Sequence, residues 1–341
     1  MAASMSCKNV FQKISSASRS NLKRSYCQSI NLTNAEVRRK RNEIFETEKK
    51  RQLGLITRME KIQVDVKGPP EDCTLIMNKG ISTPFNCSMH IQELLVNRSA
   101  LALVNGEPWD MHRPLKEDCS IEFLHFLDED PRIVNKAFWR SCCLVLGHVL
   151  ETALQNQYYV ELCSFPKPHL QSGSFVYDAD LKLKDWKPTT AELNCLTRVG
   201  HKLHHLDLKF ERLEVDASIA LDMFQDNRFK SQQIPFIAES SGSKVVVYRV
   251  GDHVDISSGP CIASTNQIGR FNVTAAHQID TPDYGKLYRV QGLGLPSQVM
   301  MHYWSYDILR RRAGKFNTAP LPRLKMESSP QTDDNNTEIS T

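Results

Sequence analysis

Two segments, residues 138–154 and 247–271, constrain the fold of this chain more than any other part of it. The first reads FWRSCCLVLGHVLETAL, a nearly unbroken apolar run of helical length, which predicts a helix buried in a protein core. The second reads VYRVGDHVDISSGPCIASTNQIGRF and carries a Gly-Asp and a Gly-Pro pair. Between them, FVYDADL predicts a strand, and residues 189–216 predict a helix that leads into an alternating strand. Residues 130–309 are therefore expected to form one α+β unit.

A smaller unit is expected over residues 60–127, ahead of the acidic boundary DEDP at 128–131. IQVDV at 62–66 alternates like a strand, TLIMNKGIS supplies a second apolar segment, and SMHIQELLV at 88–96 has helical spacing. ALALVNG and SIEFLHF then have the composition of strands. This order of two strands, a helix and two strands predicts an α+β fold with a helix over a mixed sheet.

Composition limits the class of protein. A chain of 341 residues that is 40% hydrophobic and 24% charged is long enough for about two domains of ordinary size. No apolar run reaches the roughly 18 to 20 residues of a membrane-spanning helix, so we expect no membrane partner. The ten cysteines include no CxxC pair, which argues against a disulfide scaffold or a zinc ribbon.

Positive charge is concentrated towards the two ends of the chain. Residues 1–58 carry 13 Lys or Arg against four Asp or Glu, and residues 310–325 carry six bases and no acid, whereas residues 59–309 carry 24 bases and 31 acids. Basic extensions on an acidic body are typical of a protein that reaches a polyanion. The candidate RNA contacts are the clustered bases Arg38, Arg39, Lys40, Arg41, Lys49, Lys50, Arg51, Arg310, Arg311 and Arg312.

The N-terminal extension divides into two parts. Residues 1–26 hold five bases, seven serines and no acid, which is the composition of a mitochondrial presequence, with a disordered tail as the alternative. Residues 33–58 open with Thr33 and, three residues later, Glu36, the spacing of a helix capping box. Because this basic helical arm is so densely charged, we expect it to lie outside any core, as a solvated spacer or on RNA or protein. Residues 310–341 are expected to form a basic segment and a disordered tail.

The two constraining segments resemble the tRNA-editing domain of threonyl-tRNA synthetases, which reads approximately FWHSxAHxLGxA in the first and YRxGDxIDLCxGPHxxxT in the second. Residues 60–127, with GISTPFNCSMHI and LALVNGEPWDMHRPL, resemble the TGS domain of the same enzymes, a ubiquitin-like β-grasp module. The similarity covers about residues 60–310. It implies a β-grasp domain followed by an editing-like α+β domain. The roughly 30 residues that remain are expected to be too few for an aminoacylation core.

The resemblance also locates the positions that carry the chemistry of editing domains, an HxxxH pair and a CxxxH pair. They fall on Arg140 and Leu144 and on Ser257 and Cys261. Leucine neither ligates a metal nor transfers a proton, and arginine stays protonated far above physiological pH. One soft ligand, Cys261, does not make a metal site. We therefore expect no catalytic residue, no metal, no cofactor and no small-molecule substrate.

Two further clusters remain open to interpretation. His201, His204 and His205 share one helical face and are the nearest approach to a metal site elsewhere, but no cysteine or carboxylate with ligand spacing accompanies them, which favours a polar surface. The aromatic residues Tyr303, Trp304 and Tyr306 precede the arginines at 310–312 and could stack on RNA bases or anchor a helix in a core.

The chain resembles one family of mitochondrial large-subunit ribosomal proteins. Members of that family combine a presequence, a TGS-like domain and an editing-like domain without its reactive groups. The resemblance implies a structural, non-enzymatic component of the mitochondrial ribosome in the matrix, with large-subunit ribosomal proteins and mitochondrial rRNA as partners. Two alternatives belong to other classes. One is a free-standing mitochondrial deacylase that clears mischarged tRNA, and the other is a tRNA-binding module.

Overall fold

The structure, a computed structural model, describes residues 33–155 and 158–321. The predicted presequence at 1–26 lies outside the described residues, as do residues 322–341 of the predicted tail. Helix α1 spans Asn34–Gly54 and begins with the predicted capping box. The Thr33 hydroxyl accepts the backbone N–H of Glu36 at 3.3 Å, and the Glu36 carboxylate accepts the N–H of Thr33 at 2.9 Å. No helix in the described ranges is long and apolar enough to cross a membrane.

The sheet of the first unit has five strands in the order β2-β1-β5-β3-β4. Its strands are β1 Lys61–Lys67, β2 Cys73–Asn78, β3 Leu101–Val104, β4 Glu107–Trp109 and β5 Cys119–Leu124. Strands β1 and β5 are parallel, and the other neighbouring pairs are antiparallel. Along β1 the side chains of Ile62, Val64 and Val66 are buried and their neighbours are exposed, as the alternation predicts. The predicted β-grasp fold is confirmed.

The helical part of this unit differs from the sequence prediction. Instead of one helix over 88–96, the chain forms α2 at Pro84–Ile91 and α3 at Glu93–Arg98, separated by Gln92 in an extended conformation. Helix α2 begins earlier because Thr83 and Asn86 form a capping box and Pro84 fits the first helical position.

The second unit contains two antiparallel sheets, with strand orders β11-β12-β7-β6 and β10-β9-β8. Its elements are α4 Arg132–Ala153, β6 Glu161–Ser164, β7 Phe175–Asp180, α5 Thr190–Leu206, β8 Glu211–Asp216, α6 Ala217–Met223, α7 Arg228–Ser240, β9 Lys244–Val250, β10 His253–Ile256, β11 Ile268–Thr281, β12 Gly285–Pro296 and α8 Tyr303–Ala313. The predicted α+β class is confirmed.

The main core lies between α4, α5 and the four-stranded sheet. Helix α4 is buried along most of its length, as its apolar run predicts, although it begins at Arg132 rather than Phe138. Cys142 and Cys143 are both buried and pack as small apolar residues. Helix α5 approaches the sheet closely at Gly200, where an added Cβ would lie 2.5 Å from the ring of Phe271.

Helix α1 is part of the folded body, contrary to the expectation that so polar a helix lies outside a core. Phe45 is fully buried and packs in a cluster with β8, β9 and α6, and Val37 is 2% exposed. Arg41 is also only 2% exposed. The prediction failed because it weighed the hydrophobicity of the helix alone, whereas the buried face carries polar groups that find partners elsewhere in the chain.

Candidate functional site

The predicted editing positions lie at one end of the second unit, where α4 passes the loop that follows β10. The Arg140 guanidinium donates a hydrogen bond of 2.7 Å from Nη1 to the carbonyl oxygen of Pro260. Leu144 and Cys261 are 1% and 0% exposed and belong to the main core. Arg140 and Ser257 instead line a neighbouring cleft of about 250 Å³. The structure thus brings α4 and residues 257–261 together, although two of the four side chains are sealed from the cleft.

The side chains at these positions are buried in the core or hydrogen-bonded to the backbone. Burial raises the pKa of the Cys261 thiol far above its ordinary value, so at neutral pH it is neither a thiolate nucleophile nor a metal ligand. The Ser257 hydroxyl accepts the backbone N–H of Gly259 at 3.3 Å. Within the described part of the chain, no group of three or more His, Cys, Asp or Glu side chains could hold a metal ion, the histidines at 201–205 included.

Beside this cleft lies a buried charged group that the sequence analysis missed. Lys230, which lines the cleft, places Nζ 2.6 Å from Oδ1 of Asp255, and both side chains are at most 3% exposed. The Tyr177 hydroxyl donates to the other oxygen of Asp255, and its burial raises the pKa of Tyr177 well above the usual value. A signal was present, because Lys230 lies in the first turn of α7, where the helix dipole disfavours a cation. The pair neutralises itself, so it adds little net charge to the cleft.

The loop at 257–263 is also held by the first unit, through Asp110. This carboxylate is 4% exposed and accepts the Tyr248 hydroxyl and the Cys261 N–H, each at 2.8 Å from Oδ1. Gly259 has φ of +66°, and a Cβ there would lie 1.9 Å from Tyr248 Oη, so the loop has room only for glycine. Burial raises the pKa of Asp110, and the hydrogen bonds from Cys261 and Tyr248 oppose that shift. Asp110 therefore couples the β-grasp unit to the predicted editing positions.

Helix α1 is fixed to the second unit by a buried ion pair. Arg41 Nη1 lies 2.7 Å from Glu151 Oε1, and His253 Nδ1 lies 2.7 Å from Glu151 Oε2. Burial alone would raise the pKa of Glu151, but the charges of Arg41 and His253 outweigh it and lower that pKa to about 2. Arg41 therefore has its partner inside the protein. Its prediction as an RNA contact is wrong, because a side chain this deeply buried cannot reach a phosphate.

The other candidate RNA contacts differ in whether they already form an ion pair with a carboxylate of the protein. The paired cations on α1 are Arg38 with Asp252 at 2.9 Å, Lys40 with Asp226 at 3.4 Å, Lys49 with Glu211 at 2.6 Å and Arg51 with Glu48 at 2.7 Å. On α8, Arg310 and Arg311 each lie 2.6 Å from Asp307. Arg39, Lys50 and Arg312 are exposed, and among them only Arg39 has a carboxylate nearby in the described residues, Glu43 at 3.8 Å.

The free energy of unfolding is expected to fall as the pH is lowered from about 6.5 to about 4, because of His148. Burial first, and then the charge of His253, lowers the pKa of this imidazole from 6.5 to about 4. In that window the unfolded chain binds a proton that the folded chain does not. The stability present above pH 6.5 is therefore lost on acidification, by about 3 kcal/mol for this group. Urea unfolding at several pH values measures the loss.

The variant His148→Gln should flatten part of this pH dependence, because its side chain does not titrate. Part will remain, since burial also lowers the pKa of His112 to about 4. Glu151 contributes only below its ordinary value of 4.5, where its stabilisation is lost as the pH falls towards 2. An unchanged slope between pH 6.5 and 4.5 in the variant would show that His148 is protonated in the folded chain.

Comparison with known proteins identifies the families that this chain resembles. The TGS domain family matches residues 65–125. The cytoplasmic threonine–tRNA ligase 2 of Bos taurus is 33% identical over 65% of this chain, which corresponds to 29% of the enzyme. The probable cytoplasmic threonine–tRNA ligase 1 of Dictyostelium discoideum is 30% identical over 81% of this chain and 37% of the enzyme. The large ribosomal subunit protein mL39 of Drosophila melanogaster is 43% identical over 86% of this chain and 88% of its own length.

A TGS domain joined to a second α+β unit, with similarity to threonine–tRNA ligases, defines a protein of the threonyl-tRNA synthetase-like class. Within that class, the chain belongs to the mL39 family of large ribosomal subunit proteins, with which it aligns over nearly the full length of the relative. The predicted family resemblance is confirmed. The prediction that the chain is not an enzyme is confirmed as well, since this is a family of ribosomal proteins and the ligases align over only part of their length.

Proposed function

We propose that this chain is a structural component of the mitochondrial large ribosomal subunit, located in the matrix, where it binds neighbouring ribosomal proteins and rRNA. The observation that carries the proposal is the alignment over 88% of a large ribosomal subunit protein. Residues 1–26 support the mitochondrial location through their basic, serine-rich and acid-free composition. Residues 60–127 and 130–309 would form the ribosome-bound body, with the arm at 33–58 packed on it. The described part of the predicted basic segment and tail at 310–341 packs on this body too, since Asn317 is 5% exposed and donates its backbone N–H to Gln291.

In this proposal the chain carries out no editing reaction. Two of the positions that carry it in editing domains are sealed in the core as Leu144 and Cys261, and Arg140 is bound to the carbonyl of Pro260. Restoring a reactive group would require opening a packed core, which is costly because protein interiors are close-packed. The fold would therefore serve as a binding scaffold.

An exposed apolar strip around α8 supports contact with a protein neighbour. Trp304 is 61% exposed and Ile308 65%, and their spacing of four residues places them on one side of α8. Met300, just ahead of the helix, is 94% exposed. Tyr306 is 7% exposed and anchors α8 on the sheet, so of the aromatic residues in this segment only Tyr303 and Trp304 are free to meet a partner. Clustered exposed apolar residues of this kind mark interaction surfaces.

Sedimentation tests the proposal directly. In a sucrose gradient of mitochondrial lysate at low salt, the full chain should travel with the large ribosomal subunit, and high-salt washing should release it only where core ribosomal proteins are also lost. If the chain stays at the top of the gradient while other large-subunit proteins sediment, the assignment fails and a soluble tRNA-binding module takes its place.

A hydrolysis assay distinguishes the scaffold from a deacylase. The purified full chain, mixed with mischarged Ser-tRNA, should release serine no faster than buffer does, and Cys261→Ala should behave in the same way because Cys261 is a buried, protonated thiol. Turnover that disappears in Cys261→Ala would show that the position is catalytic and would contradict the proposal.

A further inference from the structure

A wide cleft lies where α1, the β-grasp unit and strand β8 meet. We call it the junction cleft. It has a volume of about 820 Å³, within the range of about 300 to 1,000 Å³ typical of ligand sites. The C-terminal half of α1 forms one wall, residues 80–89 and 112–116 form the second, and β8 with Lys209 forms the third. It is separate from the editing-like cleft, which lies beside Arg140 and Lys230.

The junction cleft carries a strong excess of positive charge. Seven Lys and Arg side chains line it, against the carboxylates of Glu211 and Glu214. Four of the cations are paired: Lys49 with Glu211, Arg51 with Glu48, Arg212 with Glu214 and Lys244 with Asp216. For the other three, Arg113, Lys116 and Lys209, the described residues provide no carboxylate within ion-pairing distance. Residues 59–309 carry more acids than bases, so the net positive charge of this cleft is opposite in sign to that of the body around it.

Arg113 forms no ion pair with a carboxylate of the described residues, although the charges of Asp110 and Glu214 partly offset that of Arg212 at its guanidinium. Its guanidinium stacks on Trp109 with Cζ 3.4 Å from the ring centroid, and its buried Nε has no hydrogen-bond partner among the described residues. Burial lowers the pKa of Arg113, and the charge of the neighbouring Arg212 lowers it further. Since Nε is buried, a phosphate in the junction cleft would act on Arg113 through its charge, which would offset the repulsion from Arg212.

Flat rings lie among these cations. Phe85 and His112 have ring centroids 4.7 Å apart, both are partly exposed, and both line the cleft. Lys209 Nζ lies 5.5 Å from the centroid of the Phe85 ring. Burial lowers the pKa of His112 to about 4, so its imidazole is neutral at physiological pH and presents a stacking face rather than a charge. Aromatic faces interleaved with Lys and Arg are the means by which proteins hold single-stranded nucleic acid.

We propose that the junction cleft binds a short single-stranded segment of RNA, with phosphates on Lys116, Lys209 and Arg113 and a base against the pair formed by Phe85 and His112. The proposal rests on the proposed function, since the ribosome would supply that RNA. It moves the proposed RNA contact away from the surface of α1, where most cations are already paired. The new location is a cleft in which three cations have no ion-pair partner among residues 33–155 and 158–321. A duplex is a poorer ligand, because its bases are stacked inside and cannot reach the rings.

Neutralising two exposed lysines tests the site. The full-length protein carrying Lys116→Gln and Lys209→Gln is compared with a matched control, Lys136→Gln with Lys286→Gln, two exposed lysines outside the cleft. The ligand is a fluorescent oligouridylate of about 12 nucleotides, followed by fluorescence anisotropy over a salt series. We expect the cleft variant to bind about tenfold more weakly and the slope of log K against log salt to fall by about 1.4, which corresponds to two lost phosphate contacts. The control should change less than about twofold, since its lysines lie outside the site.

The remaining results separate the other possibilities. Equal losses in both variants would mean diffuse electrostatic binding and would overturn the site. Binding of an RNA hairpin duplex as tightly as of the single strand would overturn the stacking role of Phe85 and His112. If polyglutamate binds while oligouridylate does not, the cleft belongs to an acidic protein partner and the RNA proposal fails. Co-sedimentation of the cleft variant with the large subunit would then leave the proposed function standing, so the two failures are distinguishable.

Discussion

Replacement of Arg41 by alanine is expected to lower the free energy of unfolding by about 3 to 5 kcal/mol, because it leaves the carboxylate of Glu151 buried without its strongest partner. The two side chains are 2% and 3% exposed, and 110 residues separate them along the chain. Their ion pair therefore fixes α1 to α4. Urea unfolding followed by circular dichroism gives the free energy, and hydrogen exchange should show α1 opening first.

Two controls show whether the loss comes from the buried charge. Arg39→Ala removes a cation of the same helix whose side chain is 75% exposed, and it should change stability little. The double variant Arg41→Met with Glu151→Gln removes both charges and keeps an acceptor for His253. It should be more stable than the sum of the two single changes predicts, by about 1 kcal/mol or more. Strict additivity would mean that Arg41 and Glu151 contribute independently and that the ion pair does not hold the helix.

Replacement of Asp110 by alanine is expected to lower the free energy of unfolding by about 2 to 4 kcal/mol. The Tyr248 hydroxyl and the Cys261 N–H would both lose their buried acceptor, and each unsatisfied group costs about 1 to 3 kcal/mol. The change should also loosen the loop at 257–263, because Asp110 holds it from the neighbouring unit. Thermal unfolding measures the stability, and faster hydrogen exchange at the Cys261 amide reports the loop.

Asp110→Asn is the matched variant for this prediction. It keeps an acceptor oxygen and removes a carboxylate whose pKa burial raises, so it should cost much less than alanine and could even stabilise the protein at neutral pH. Tyr248→Phe removes one donor only and should fall between the two. If Asn and Ala prove equally destabilising, the hydrogen bonds of Asp110 do not explain the coupling of the two units.

Much of the fold could be predicted from the sequence because its signals are local. The alternation in β1, the capping box of Thr33 and Glu36 and the apolar run of α4 each depend on neighbours within one or two turns or pleats. The prediction of a single helix over 88–96 was wrong because it overlooked two signals that are also local, the capping box at Thr83 and the break at Gln92. Strand β4 was missed because it has only three residues.

The site could be predicted only in part. The resemblance to editing domains pointed to Arg140, Leu144, Ser257 and Cys261, but it could not show that Lys230 and Asp255 pair beside the same cleft. It also treated every base of α1 as equally available to RNA. Whether a lysine or arginine is free depends on carboxylates that lie far away in sequence, such as Glu211 for Lys49.

By itself, the sequence determined the class of fold and the family, because both depend on which residues stand at which spacing. The replacement of the editing residues at positions 140, 144, 257 and 261 remains a prediction from the same resemblance. Only the tertiary structure decided which charged side chains form ion pairs or hydrogen bonds inside the protein. It buried Arg41 against Glu151 and tied Asp110 to the loop at Cys261. In the junction cleft it left three cations without an ion-pair partner in the part of the chain that the structure describes. The physical reason is that ion pairs and hydrogen bonds are set by distances across the folded chain, and no local pattern encodes those distances.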